Sequence, residues 1–205
     1  MQNYVAVKKL SKEYSCRQLF VDVSVTIPDR SVFVVLGHNG AGKTTFLRIL
    51  CGLVPATSGQ VDFVHCGNVL TAAEKRAKLG LVSPELELYG ELSAVENLEF
   101  FSGVRGLPFT LQRAREILEF VGLKGRGHDY VATFSSGMKQ RMKYAQALLH
   151  NPPILILDEP TANLDEVGVA LVDTIIRRQK EKGIVIMATN EPREVCYGDQ
   201  QLSLA

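Results

Sequence analysis

The sequence has no apolar run long enough to cross a membrane. Its longest strongly apolar runs are residues 31–37 and 154–157, whereas a membrane-spanning helix needs roughly 20 predominantly apolar residues. Residues 1–5 do not combine a basic region with a long apolar one, so they do not resemble a secretory signal peptide. We therefore expect that the chain itself does not span a membrane and that any role at a membrane depends on a partner protein.

Pairs of cysteines and an excess of basic charge are also missing. Cys16, Cys51, Cys66 and Cys196 lie far apart, with no CxxC pair and no Cys/His spacing typical of zinc sites. This pattern disfavours a disulfide framework and predicts isolated, buried thiols in a reducing compartment. The 23 Lys and Arg residues balance 22 Asp and Glu residues, for a formal net charge of +1. Since nucleic-acid binders usually show a basic excess, no nucleic-acid partner is expected.

The hydrophobic pattern predicts an α/β fold. Continuously apolar, mostly β-branched segments at residues 32–36, 154–157 and 184–188 are typical of buried strands in a parallel sheet. Residues 4–8 and 19–27 alternate between apolar and polar, which predicts half-exposed strands. Further strands are predicted at residues 61–64 and 79–82, and helices at residues 44–51, 94–102, 111–121, 136–150 and 166–180.

The predicted elements also suggest how the chain is organised. Strands that alternate with helices imply a parallel sheet covered on both faces. A length of 205 residues suits one compact domain, and no internal repeat, low-complexity tract or long linker interrupts it. We predict a single domain over residues 1–205, with a helical block at roughly residues 84–146 inserted in its core.

A glycine-rich segment, called here the phosphate loop, joins the apolar strand 32–36 to a predicted helix. Residues 37–44 read GHNGAGKT and fit G-x-x-x-x-G-K-[ST]. Glycines let successive backbone N–H groups point at one anion, and the helix N-terminus adds partial positive charge. Lys43 is expected to reach the β- and γ-phosphates of ATP, and the Thr44 hydroxyl to bind Mg²⁺. The predicted nucleotide contacts are Gly37, Asn39, Gly40, Ala41, Gly42, Lys43, Thr44 and Thr45.

Two carboxylates, called here the acidic pair, follow the apolar segment 154–157. Ligands of an open parallel sheet lie at the carboxyl ends of its strands, so the pair is expected beside the phosphate loop. Asp158 can hold Mg²⁺ there, and Glu159 can polarise the attacking water as a general base. On its own, an apolar strand followed by Asp-Glu is common at protein surfaces and does not indicate a function. The presence of the phosphate loop is what favours a catalytic interpretation of the pair.

The segment just ahead of the acidic strand narrows the choice among nucleotide-binding families. Residues 134–141 read FSSGMKQR and resemble the signature of ABC ATPases, usually LSGGQ followed by x-Gln-Arg. Ser135 and Gly137 match that signature, whereas Phe134, Ser136 and Met138 depart from its commonest form. A serine-glycine run that opens an amphipathic helix offers a hydroxyl, N–H groups and a helix dipole to an anion, although an ordinary helix N-cap has the same features.

The resemblance to ABC ATPases covers residues 4 to about 198 and implies a P-loop NTPase fold. It implies a RecA-like core, an antiparallel β subdomain and an α-helical subdomain. It also implies a head-to-tail dimer, most simply a homodimer, in which Ser135 and Gly137 contact ATP held by the second ATP-binding subunit. Tyr14 resembles the aromatic residue that stacks on adenine, with an ordinary surface or core tyrosine as the alternative. Residues 162–165 resemble the D-loop, which runs across the dimer interface.

Within this family the sequence looks most like the exporter ATPases. Residues 88–101 are of the type found there, and the brevity of the chain resembles the ATP-binding subunit of the haem exporter of c-type cytochrome maturation. The resemblance implies an ATPase attached, through an integral membrane transporter subunit, to the cytoplasmic face of the cell membrane. Residues 86–89 and 98–101 are the predicted docking surface. Because the chain ends soon after the last predicted strand, no appended regulatory domain is expected.

Two positions depart from the family pattern. The glutamine expected near the end of strand 79–82 aligns with Pro84, with Glu85 beside it, and the histidine expected after Thr189 is Asn190. Asparagine can donate a hydrogen bond to a γ-phosphate but does not titrate near neutral pH. We therefore expect hydrolysis, though slow, with Lys43, Glu159 and Asn190 as its catalytic residues. Two alternatives stay open: an ABC ATPase that acts without a membrane channel, and an ATP-gated module whose hydrolysis has weakened.

Overall fold

The computed structural model of the chain describes residues 3–15 and 17–204, which form two sheets and a set of helices. The strands are β1 Tyr4–Tyr14, β2 Arg17–Pro28, β3 Val32–Leu36, β4 Ser58–His65, β5 Asn68–Val69, β6 Leu79–Val82, β7 Ile154–Asp158, β8 Ile184–Ala188 and β9 Gln200–Ser203. The helices are α1 Lys43–Cys51, α2 Ala72–Lys78, α3 Ala94–Val104, α4 Leu111–Phe120, α5 Ser136–Leu148, α6 Glu166–Lys182 and α7 Pro192–Val195, with a 3-10 turn at Val131–Thr133.

The larger sheet is parallel and lies at the centre of the fold. Its order is β6-β7-β8-β3-β9, and every pairing in it is parallel. Successive residues of a strand face opposite sides of a sheet. In β3, Val32 and Val34 pack in one core with α3, α4, α5 and α6, whereas Phe33 and Val35 pack in a second core with α1 and β1. Because both faces are covered, these strands are apolar throughout, as the sequence predicts.

The smaller sheet is antiparallel, in the order β2-β1-β4-β5. It packs on the α1 side of the parallel sheet, where the rings of Phe20 and Phe46 meet edge to face at 5.6 Å. β1 extends six residues beyond the predicted end at residue 8, so that Tyr14 is the last residue of the strand. The fold class is therefore as predicted: a parallel core, an antiparallel β region and a helical region.

Helices α3, α4 and α5 lie between β6 and β7 in the sequence and cover the other face of the parallel sheet. Each begins at a hydroxyl side chain that accepts a hydrogen bond from the backbone of the first turn. The caps are Ser93, Thr110 and Ser135. The predicted limits of the inserted block, residues 84 and 146, stay a prediction.

Most predicted elements match the structure to within a few residues, and the strands at 32–36, 79–82 and 184–188 coincide with β3, β6 and β8. The elements without a prediction are short or polar: β5, α2, α7 and β9. The prediction of buried thiols is wrong for Cys66 and Cys196, which are exposed, while Cys51 is partly buried; Cys16 lies outside the described residues. Within the described part of the chain, no helix combines the length and apolarity needed to cross a bilayer.

Candidate functional site

The phosphate loop leaves the carboxyl end of β3 and turns directly into α1. Its backbone relies on glycine: Gly37 has φ +153°, and a Cβ there would lie 2.6 Å from the carbonyl oxygen of Leu204. Gly42 has φ +99° and forms the N-cap of α1, with no side-chain hydrogen bond to the helix. The first N–H groups of α1 are therefore not capped by a side chain, as an anion site at a helix N-terminus requires.

Lys43 lies inside the curve of this loop. Its side chain is buried, and its ammonium group donates to the carbonyl oxygen of Gly37 at 2.8 Å and to that of His38 at 3.3 Å. It also donates to Asn190 Oδ1 at 2.6 Å. A buried cation held only by neutral oxygens keeps its full charge available to an anion. Thr44 and Thr45 follow it in the first turn of α1.

Asn190 reaches the same site from the end of β8. It accepts the hydrogen bond of Lys43, and its amide nitrogen donates to the side-chain oxygen of Asn39 in the phosphate loop. The preceding residue, Thr189, is buried, with its backbone nitrogen bonded to the carbonyl oxygen of Val35. The structure thus brings together Lys43, Asn39 and Asn190, although 147 residues separate Lys43 from Asn190 in the sequence.

Asp158 ends β7, the second strand from β3 across the parallel sheet. It is almost completely buried, and its Oδ1 has no hydrogen-bond partner within the described chain. Burial raises the pKa of the Asp158 carboxyl, and a hydrogen bond with the Thr44 side chain acts in the opposite direction. A buried carboxylate oxygen without a protein partner indicates that another group completes the site.

These oxygens fit a Mg²⁺ ion held together with a nucleotide. Mg²⁺ prefers oxygen ligands and is usually bound through one or two carboxylates plus substrate phosphates. Asp158 and Thr44 both line one small pocket beside α1 and supply such oxygens. In residues 3–15 and 17–204 no group of three His, Cys, Asp or Glu side chains could hold a metal by itself.

Glu159 projects into solvent beside the site. Its backbone has φ +48°, a left-handed conformation uncommon for a residue with a side chain. Its backbone nitrogen donates to the carbonyl oxygen of Ala188 at 2.9 Å. The carboxylate lines a cavity of about 380 Å³ together with Asn39 and Asn190. The two residues of the acidic pair thus have different environments: Asp158 is buried at the end of β7, and Glu159 faces the open cavity.

Ser135 and Gly137 lie at the start of α5 and not at this site. Ser135 is exposed, and its hydroxyl accepts the backbone hydrogen bond of Met138 at 3.2 Å. Gly137 lies close to the carbonyl oxygen of Asn163, in the segment predicted to be the D-loop. Neither residue has a hydrogen bond to the phosphate loop within the described chain.

Tyr14 ends β1, and its ring is half exposed. The buried ammonium group of Lys12 lies 4.4 Å from the ring centroid. Three residues further on, the guanidinium group of Arg17 donates to the carbonyl oxygen of Gly40 at 3.2 Å. This bond ties the β1–β2 hairpin to the phosphate loop. Sequence reasoning did not predict this bond, since an isolated arginine in a hairpin belongs to no motif.

The segment after β6 contains the first departure from the family pattern. Glu85 forms an ion pair with Arg48 of α1 and lines the pocket that also contains Thr44 and Asp158. The ammonium group of Lys143, on α5, donates to the carbonyl oxygen of Pro84 at 2.7 Å. Although Pro84 has no side-chain donor, this segment is therefore bonded both to the helix of the phosphate loop and to α5.

One protein family matches most of this sequence. The family described as ABC transporter matches residues 20–162. The chain is 38% identical over 194 residues to "Uncharacterized ABC transporter ATP-binding protein YhcH" of Bacillus subtilis (strain 168), covering 93% of this chain and 62% of that protein. It is 36% identical over 184 residues to "Lantibiotic transport ATP-binding protein SrtF" of Streptococcus pyogenes, covering 90% of this chain and 78% of that protein.

A solved structure adds a three-dimensional comparison. It is a dimeric ATP-binding cassette in a post-hydrolysis state bound to ADP and Pi, and this chain matches it with a TM-score of 0.85 at 25% identity. The match covers 98% of this chain and 94% of that chain. This chain spans less than two thirds of the length of YhcH.

Proposed function

Because this chain belongs to the ABC transporter family of ATP-binding proteins, we propose that it hydrolyses ATP to drive substrate movement through a separate membrane subunit. One observation carries the catalytic part of this proposal. Lys43 lies buried in the phosphate loop with its ammonium group on three neutral oxygens, and Asp158 lies buried nearby with one carboxylate oxygen unpartnered in the described chain. In this proposal Lys43 supplies the cation and Asp158 the metal ligand for a Mg-nucleotide.

The predicted contacts are assigned roles at this site. The N–H groups of the phosphate loop and Lys43 bind the β- and γ-phosphates, while Thr44 and Asp158 hold Mg²⁺. When bound, Mg²⁺ would neutralise charge that develops on the phosphate oxygens. Glu159 orients the attacking water and takes its proton. Tyr14, half exposed at the end of β1, stacks on the adenine ring.

Ser135 and Gly137 are proposed to act on a nucleotide held by a second ATP-binding subunit. Both lie at the exposed start of α5 and away from the phosphate loop of their own chain. The solved cassette with a TM-score of 0.85 is dimeric, which supports a second copy of this chain as the partner. The N-terminus of α5 would then face the γ-phosphate across the dimer interface.

The proposed membrane subunit docks on an aromatic patch at the start of the helical region, defined as Tyr89, Phe100 and Phe101. These rings contact one another at 4.8 to 5.8 Å, and Tyr89 and Phe100 are 47% and 41% exposed. Leu98, included in the predicted surface, is completely buried and therefore belongs to the core. Through this subunit the protein would lie on the cytoplasmic face of the cell membrane.

The transported substrate is proposed only as a class. SrtF is named for lantibiotic transport, which supports an exporter of peptide or antibiotic compounds. The narrower resemblance to a haem exporter receives no support from the relatives reported above. We therefore place this chain with exporters in general.

The alternative of an ATP-gated module with weak hydrolysis is favoured by two observations. Asn190 replaces the family histidine, and in the structure it already accepts a hydrogen bond from Lys43. Pro84 replaces the family glutamine. The further alternative, an ABC ATPase that acts without a channel, predicts that no membrane protein co-purifies with the chain.

Steady-state phosphate release tests the enzymatic proposal. We expect wild-type turnover to exceed that of Glu159→Gln by about 100-fold or more, because a positioned general base contributes at least that much, while Mg-ATP affinity stays unchanged. Exposed Glu181, on α6, provides the matched control: Glu181→Gln should retain wild-type turnover. Equal rates for wild type and Glu159→Gln would leave only the ATP-gated alternative.

A further inference from the structure

A buried carboxylate outside the predicted site borders the same cavity. Glu194, on α7, is 1% exposed. Its Oε1 accepts a hydrogen bond from the Thr161 hydroxyl, while its Oε2 is buried without a partner among the described residues. Burying a carboxylate that is only partly hydrogen-bonded costs free energy. The hydrogen bond to Thr161 suggests a function for the buried Glu194 carboxylate.

Thr161 lies two residues after Glu159, and Pro160 between them also accepts a hydrogen bond from a buried side chain. The phenol of Tyr144, which is completely buried on α5, donates to the carbonyl oxygen of Pro160 at 2.7 Å. The pKa of the Tyr144 phenol is raised well above its usual value by burial and, secondly, by the charge of Glu194. Two buried side chains from two helices therefore fix the two residues that follow Glu159.

These hydrogen bonds lie in a segment whose backbone adopts left-handed conformations at two non-glycine residues. Glu159 has φ +48°, and Asn163, four residues later, has φ +62°. A non-glycine residue in this conformation persists only when the surrounding structure holds it. The bonds at Pro160 and Thr161 supply that restraint at the point where the chain leaves Glu159.

The same carboxylate lies on the segment that carries Asn190. α7 begins two residues after Asn190, and the backbone nitrogen of Glu191 donates to the Thr189 hydroxyl at 2.9 Å. Glu159, Thr161, Asn190 and Glu194 all line the cavity of about 380 Å³. Glu194 therefore connects the two loops that face each other across that cavity.

We propose that Glu194 is a positioning residue that, through Thr161, holds the Glu159 carboxylate in the geometry required to orient the attacking water. The proposal rests on the proposed ATPase function. In this proposal Glu194 acts through Thr161 and not by contact with nucleotide or metal. Its effect belongs to the hydrolytic step and not to ATP binding, since the Lys43 contacts involve neither Glu194 nor Thr161.

The substitution Thr161→Val tests this proposal because it removes the hydroxyl and keeps the volume. We expect kcat to fall about tenfold or more, since small displacements of a reacting group have effects of that size, with the Kd for Mg-ATP within about twofold of wild type. Thr161→Ser keeps the donor and should restore kcat to within about threefold. Glu194→Gln, which keeps an acceptor oxygen but loses the charge, should fall between the two.

A purely structural role would give a different pattern. In that case Thr161→Val would weaken Mg-ATP binding in parallel with the fall in kcat, because the damage would extend to the whole site. The decisive comparison is made in the Glu159→Gln background. There we expect Thr161→Val to leave the residual rate unchanged, because a residue that acts through Glu159 has no effect once Glu159 is lost.

The outcomes also separate this inference from the proposed function. If wild type turns over no faster than Glu159→Gln, the ATPase proposal fails first. If wild type is active and Thr161→Val matches it, or if the two substitutions reduce the rate independently, Glu194 has no positioning role.

Discussion

The helices α1 and α5 both begin at a small N-cap residue, yet their N-termini differ in the groups that they leave available. At α1 the N-cap is Gly42, which offers no side-chain hydrogen bond, and the next residue is the buried cation Lys43. At α5 the N-cap is Ser135, whose hydroxyl already accepts a backbone hydrogen bond from Met138. The N-terminus of α1 leaves its backbone N–H groups free of side-chain caps, whereas the N-terminus of α5 has one N–H group bonded to the Ser135 hydroxyl.

The difference supports the two different roles that we propose for these helix N-termini. A helix terminus with a glycine cap and a buried cation is pre-organised for phosphate in a single chain. A self-capped and exposed terminus has little affinity of its own and needs a ligand brought to it by another surface. This contrast supports a division in which α1 binds ATP and α5 acts on ATP bound elsewhere.

The largest expected effect concerns the α1 terminus. Lys43→Met should weaken Mg-ATP binding about 100-fold and abolish turnover, because charge-assisted hydrogen bonds contribute roughly 1.5–3 kcal/mol each. Calorimetry measures the affinity. Lys139→Met is the matched control, since Lys139 is exposed in the first turn of α5. Comparable losses in both variants would remove the distinction between the two termini.

The next effect concerns the α5 terminus. Ser135→Ala should reduce kcat about tenfold or more by removing a donor to the transferred phosphate, while the Kd of the single chain stays within about twofold. Loss of the cap should also cost roughly 1 kcal/mol in the free energy of unfolding. Ser135→Asp keeps a side-chain acceptor for the cap but has no hydroxyl donor, so it separates the two effects. A Kd for Ser135→Ala as weak as that of Lys43→Met would contradict the assigned roles.

The next prediction concerns Asp158, the proposed Mg²⁺ ligand, and depends on pH. Since burial raises the pKa of the Asp158 carboxyl, its ionised form costs stability above that raised pKa, and the cost disappears below the ordinary Asp pKa. Asp158→Asn should therefore raise the melting temperature of the nucleotide-free protein at neutral pH by about 2–4 °C.

The same substitution should reduce the contribution of Mg²⁺ to ATP affinity, because Mg²⁺ requires the ionised carboxylate. In the wild-type protein, the gain in ATP affinity from Mg²⁺ should decline as the pH falls toward the raised pKa of Asp158. The decline should occur at a higher pH than it would for an aspartate with an ordinary pKa. Titrations of ATP affinity with and without Mg²⁺ over a pH series measure it. An unchanged Mg²⁺ effect in Asp158→Asn would exclude Asp158 as a ligand.

The smallest expected effect is a gain. Asn190→His should raise turnover, by about tenfold at most, because histidine can exchange a proton near neutral pH and asparagine cannot. Phosphate release measures it, with Asn190→Gln as the control that keeps an amide. No change, or a fall below wild type, would mean that Asn190 is not what limits the rate.

Local sequence predicted the parts of the site that depend on one segment. The apolar strand 32–36 coincides with β3, the glycine pattern lies between β3 and α1, and Asp158 of the acidic pair ends β7. Such segments carry their own signals: β-branched runs, positions that require glycine, and strand ends. The direct contact between Asn190 and Lys43 was beyond this reasoning, since it depends on the order of strands in the sheet.

The elements that sequence reasoning missed share a physical cause. α2 buries no residue, so hydrophobic periodicity is absent, although the capping box of Thr71 and Glu74 was a readable signal. β9 is a polar strand at the edge of the parallel sheet. Nothing in the sequence around Glu194 indicates that a charged residue is buried there, because its hydrogen-bond partner Thr161 lies in the loop after β7, far away in the sequence.

The central claim is that the phosphate loop and Lys43 bind the phosphates of ATP together with Mg²⁺. Calorimetric titration of the folded wild-type protein with Mg-ATP tests it most directly. The account predicts saturable binding at one site per chain. If a protein with a cooperative thermal unfolding transition shows no affinity for Mg-ATP, the account is wrong.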